Sequence, residues 1–121
     1  MAYNPHIILS VIHLLFIVPA LLYVGFQRAA NPLWVYWTLG FVGIVLALYH
    51  GSKAIAKWAS GSPSFWVNAI HALLLAPLFI YIAIYRRDTP RAAYELILLS
   101  AFAALGYHLY SLAINLEADV D

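Results

Sequence analysis

Cysteine is absent from this chain and charge is scarce, and each shortage removes whole classes of protein. With no cysteine there can be no disulfide, no thiolate zinc site, no Cys-ligated iron–sulfur cluster and no cysteine nucleophile. Charged residues make up 9% of the 121 residues, whereas a soluble domain carries about a quarter. The formal net charge is +1, and no basic run exists that could hold phosphates, so nucleic acid is not an expected partner. Also missing are a Gly-rich phosphate loop, a nucleophile elbow and HExxH. The clustered HxxxH and HxxHH boxes of membrane oxygenases are absent as well. A retinal-type lysine would have to sit mid-membrane, and Lys53 and Lys57 lie near the end of an apolar stretch instead.

Apolar residues fill the space that charge leaves. The hydrophobic class makes up 65% of the chain, more than a core of one small domain can hide, so lipid is the expected solvent. The apolar stretches run approximately over 7–26, 33–55, 65–85 and 92–116. Each is near the ~20 residues that a helix needs to cross ~30 Å of hydrocarbon. The first stretch lacks a preceding basic residue and a following small-residue cleavage site, and is read as a span rather than a signal peptide. Asn4-Pro5, Ser62-Pro63, Asn31-Pro32 and Thr89-Pro90 each suggest a capping side chain before a proline at the first helical position. Pro19 and Pro77 fall inside spans and should kink the first and third helices.

All six prolines pair at one spacing. Pro5 and Pro63, Pro19 and Pro77, and Pro32 and Pro90 are each 58 residues apart. The same offset pairs His13 with His71, His50 with His108, Tyr36 with Tyr94, Tyr49 with Tyr107 and Arg28 with Arg86. Residue types this scarce do not align by accident, and the chain reads as an internal duplication. The expected architecture is one membrane domain, an all-α bundle of four transmembrane helices. It would be built from two tandem helical hairpins, residues 5–58 and 63–116, related by a pseudo-two-fold axis along the membrane normal. Arg28, Arg86, Arg87 and Arg91 lie on the side of the first and third loops. Lys53, Lys57 and the acidic tail, Glu117, Asp119 and Asp121, lie on the other. The basic bias puts the arginine side in the cytoplasm and both termini outside. Trp34, Trp37, Trp58 and Trp66 near span ends read as an interfacial belt.

Four histidines stand out against this background. His13 and Arg28 are fifteen residues apart, about 22 Å of helix, and Pro32 and His50 are eighteen apart, about 27 Å. Both histidines are therefore expected in the outer part of the membrane, with His71 and His108 at the same levels. Small residues Gly40, Gly43 and Ala47 precede His50 on one face, and Ala101 and Ala104 precede His108. Such stripes mark close helix approach. Ser10 and Asn68, three residues before His13 and His71, add a polar group to the same faces. Four histidines turned into lipid would be costly, which favours an inward layer. The plainer reading of each is a hydrogen-bonding residue between helices. His6 has no counterpart, since Ser64 stands there, and reads as interfacial.

Neutral imidazole suits haem iron, copper and zinc. The first expectation is a b-type haem held by two of His13, His50, His71 and His108. Filled axial positions would favour electron transfer over oxygen chemistry. Lys53 and Lys57 could meet the propionates, and Tyr49 and Tyr107 could line the ring. The resemblance to four-helix membrane cytochromes of the b type is architectural and identifies no family. The second expectation is a bare copper or zinc ion, with Ser10, Asn68 and the tyrosines as acceptors for the other ring nitrogens. No carboxylate shares the layer, and Glu95 belongs near the cytoplasmic end. The third is a small transporter or proton pathway without a cofactor, and the fourth a packing subunit of a larger membrane complex. Partners beyond lipid would then be a redox protein, that complex or further copies of the chain.

Overall fold

The computed structural model describes the backbone of residues 4–120 and the side chains of residues 4–118. Of the acidic tail, Asp121 and the side chain of Asp119 lie outside the described residues. The described chain is all-helical, and four helices are long and apolar enough to cross a membrane. They are α1 (Pro5–Ala30), α2 (Leu33–Ala59), α3 (Phe65–Asp88) and α4 (Arg91–Val120). Each contains one of the apolar stretches and extends past its C-terminal end.

The helix ends obey local chemistry, in part against expectation. Asn4 caps α1 as anticipated: its side chain accepts from the His6 N–H, and Pro5 follows in the first turn. At α2 the proline is itself the cap. Pro32 is extended at ψ 157° and no side chain caps the helix, while its carbonyl accepts from the Val35 N–H at 3.0 Å. The Pro90 carbonyl likewise accepts from Ala93 at 3.0 Å. Ser62-Pro63 falls in the turn before α3, which starts at Phe65 without a side-chain cap. Asn31 and Thr89 are buried instead of capping, and the Thr89 hydroxyl donates to the Ile82 carbonyl at 3.4 Å. The end of α2 is a Schellman motif. Gly61, at φ 71°, donates to Trp58, and Ser62 donates to Lys57 at 2.9 Å.

Proline 19 and proline 77 leave their mark one turn earlier. Each α-helix is interrupted by a five-residue π turn, His13–Ile17 in α1 and His71–Leu75 in α3. The Val18 N–H reaches back to the His13 carbonyl and the Ala76 N–H to that of His71. Proline lacks an N–H and its ring crowds the carbonyl four residues back. A wider turn before it absorbs the mismatch without ending the helix. Each π turn begins on a histidine.

Two further backbone features recur 58 residues apart. Arg28 (φ 51°, ψ −129°) and Arg86 (φ 52°, ψ −122°) both hold a positive φ that side-chain-bearing residues avoid. Such a conformation costs of order 1–3 kcal/mol per residue. Replacing either arginine removes its side-chain interactions, so the informative comparison is between two truncations. Arg86→Gly should unfold at a higher temperature than Arg86→Ala in detergent, because only glycine removes the Cβ. Equal melting temperatures would show that the turn carries no strain.

The chain clusters into two compact units. One joins the chain up to Arg28 with the chain from Tyr94 onward; the other is Ala29–Ala93. In the second, α2 packs along α3, with Gly43 against Ala76, Phe79 and Ile80, and Gly40 against Ala83. In the first, α1 meets α4 at Gly25, which faces Leu98 and the Tyr94 carbonyl, and through an Asn4–Asn115 hydrogen bond of 3.3 Å. The buried positions of α2 include Val35, Tyr36, Leu39 and Gly43, the face of a helix whose other sides are apolar too. In α4 they include Ala93, Tyr94, Ile97 and Ala101, the same positions 58 residues on.

Candidate functional site

Each unit contains one pair of stacked histidines. In the first, His13 of α1 and His108 of α4 have ring centroids 4.2 Å apart and planes inclined by 23°. In the second, His50 of α2 and His71 of α3 are 4.5 Å apart, again at 23°. All four sequence-predicted ligands are thus brought together in twos, His13 with His108 and His50 with His71. Among the described residues, no group of three or more His, Cys, Asp or Glu is placed to hold a metal ion.

Every one of the four rings has its Nδ1 against an oxygen of its own unit. His13 Nδ1 lies 2.9 Å from the Leu9 carbonyl, and His71 Nδ1 lies 2.6 Å from the Val67 carbonyl. A carbonyl only accepts, so both nitrogens carry the proton and donate. The rings on the partner helices use the polar residues read earlier as neighbours of His13 and His71. His50 Nδ1 donates to Asn68 Oδ1 at 2.8 Å, and His108 Nδ1 lies 3.4 Å from Ser10 Oγ. Asn68 and Ser10 are buried, at 6% and 1% exposure, so each polar group faces the neighbouring helix of its unit and serves the histidine there.

The tyrosines next in sequence stand edge-on to these rings. Tyr49 meets His50 at 5.0 Å and 89°; Tyr107 meets His108 at 5.1 Å and 88°. The Lys53 ammonium sits 5.4 Å from the centre of the Tyr49 ring. His108 is buried, while His13, His50 and His71 are half-buried and His6 is exposed. Sequence reasoning missed the π turns on which His13 and His71 begin. The only signal for them was a proline six residues beyond each histidine.

Chemically, the arrangement leaves the same ring atom of each dyad to ligate. A ring whose Nδ1–H is spent on an oxygen keeps its Nε2 lone pair as the remaining basic site, and that is the state in which histidine ligates a metal. Set against known protein families, curated proteins and solved structures, the chain matches none.

Proposed function

We propose that this is a tandemly duplicated, four-span membrane protein that binds a transition-metal ion at each histidine dyad, near its non-cytoplasmic face. The observation that carries the reading is the placement of all four Nδ1 atoms against oxygens. Two of the four oxygens belong to backbone carbonyls and a third to an amide, so three tautomers are dictated. Membrane insertion accounts for the outer surface: Phe41, Leu48, Ile55 and Leu73 are each at least 71% exposed and would not face water in such number. Trp34, Trp37, Trp58 and Trp66 are exposed as an interfacial belt requires. The recurrence of π turns, strained arginines and dyads at one offset supports the duplication.

Ring spacing favours a bare ion over haem. Two imidazoles on opposite faces of one haem iron would have centroids roughly 6.3 Å apart, for metal–nitrogen bonds of ~2.0–2.1 Å. The observed 4.2 and 4.5 Å are too short for the two members of a dyad to bracket a haem, which favours a bare ion. A donor set of imidazoles without thiolate suits copper(II). Each dyad would hold its ion through two imidazoles, which suits an exchangeable rather than a structural ion.

The test is copper(II) titration of the purified chain in detergent, followed by electron paramagnetic resonance. One ion per dyad with two equatorial nitrogens is expected. A Soret band in the protein as purified would overturn the reading in favour of haem. A colourless chain that takes up neither copper nor zinc would overturn it in favour of a cofactor-free transporter or packing subunit.

A further inference from the structure

We infer that the two dyads are unequal, His50/His71 being the tight site and His13/His108 the weaker one, and that the residue at positions 68 and 10 sets the difference. The inference rests on the metal ligation proposed above and adds which dyad retains the ion. The two sites form a natural controlled comparison. His71 and His13 are anchored alike, on the carbonyl four residues back. Both dyads have the same interplanar angle and the same edge-on tyrosine. The dyads differ in the burial of His108 against His50, in Lys53, and above all in the partners of these two rings.

Asn68 Oδ1 can only accept, so at 2.8 Å it keeps the proton of His50 on Nδ1 and the Nε2 lone pair available. Ser10 Oγ can donate or accept, and at 3.4 Å it is beyond the usual length of such a bond. When the hydroxyl donates, the His108 proton moves to Nε2 and the ligand lone pair is lost. The Ser10 side chain is 1% exposed, so water does not take over its role. Lys53, whose counterpart at the 58-residue offset is Ser111, opposes the inference by placing a cation beside the second dyad. Its side chain is exposed and its charge is screened by salt, whereas Asn68 is buried at 6% exposure. The buried term prevails.

Loss of such a second partner typically costs 10–100-fold in metal affinity, which sets the expected scale. His108→Ala leaves only the His50/His71 dyad, and His50→Ala only His13/His108. Copper(II) should bind the first chain at least 10-fold more tightly. In the His108→Ala background, Asn68→Ser should weaken binding 10–100-fold, while Asn68→Asp, which still accepts, should preserve it. Nitrogen-15 spectra of histidine-labelled wild-type protein without metal give a readout that needs no variant. His50 should show the Nδ1–H tautomer alone, and His108 both. Equal affinities of the two single-dyad chains, or one shared tautomer for His50 and His108, would overturn the inference and leave the metal reading intact. Failure of both chains to take up copper would remove the metal reading itself.

Discussion

His50→Ala combined with His108→Ala should abolish copper uptake, and each substitution alone should halve the number of ions bound. Each removes one ring of a dyad and leaves its partner, His71 or His13, as a single imidazole still tied to its carbonyl at 2.6 or 2.9 Å. Chelation by two nitrogens is then replaced by one. The loss must exceed the 10–100-fold that removal of an outer partner costs, because here the ligand atom itself is gone. Elemental analysis after dialysis provides the measurement. His6→Ala is the control: His6 is exposed and its backbone, not its ring, meets Asn4, so its stoichiometry should match the wild type. Unchanged copper in the double variant would show that the ions bind elsewhere, at surface groups that are no part of the dyads.

Much of this arrangement was legible before any coordinates, because scarce residue types carry information that abundant ones do not. A 58-residue offset in proline and histidine makes His13 the counterpart of His71 and His50 the counterpart of His108. It does not say which ring stacks on which. The offset links α1 to α3 and α2 to α4, and it is satisfied equally by several neighbour choices. Ser10 and Asn68 were legible as polar members of the His13 and His71 faces. Their partners were not, since a side chain three residues from a histidine on one helix can bond that ring or a ring across the interface. The structure shows the second.

Other features were hidden for simpler reasons. A positive φ at Arg28 and Arg86 cannot be read from arginine, whose side chain disfavours it. It stands at the last residue still bonded into each helix, the Arg28 N–H to Val24 and the Arg86 N–H to Ile82. At Asn31-Pro32 the residue pattern fits a capping asparagine with proline in the first turn, or a proline cap preceded by a buried asparagine. Burial decided for the second. Tertiary packing thus overrode a local signal that succeeded at Asn4, where no such burial competes.

Gly43→Ala should destabilise the α2–α3 pair and, through it, the His50/His71 dyad alone. A Cβ at position 43 would lie 2.8 Å from Ile80 Cγ1, 3.2 Å from the Ala76 carbonyl oxygen and 3.2 Å from Phe79 Cβ. Two of those three atoms belong to backbone or to a Cβ and cannot swing aside, so α2 must move off α3. Overpacking of this kind costs about 1–3 kcal/mol. The same chemical change at Gly106, where nothing lies within 4 Å, should instead gain up to ~1 kcal/mol from helix propensity. Position 43 is two turns from His50 on the same helix, ~10.5 Å along its axis, so separating the helices there widens the 4.5 Å ring spacing. Gly43→Ala in the His108→Ala chain should therefore lower the melting temperature and the copper affinity together. In the His50→Ala chain it should lower the melting temperature with little effect on copper, because the surviving ligands lie on α1 and α4. Equal copper loss in both backgrounds would mean that the glycine acts on the whole molecule and not through the spacing of one dyad.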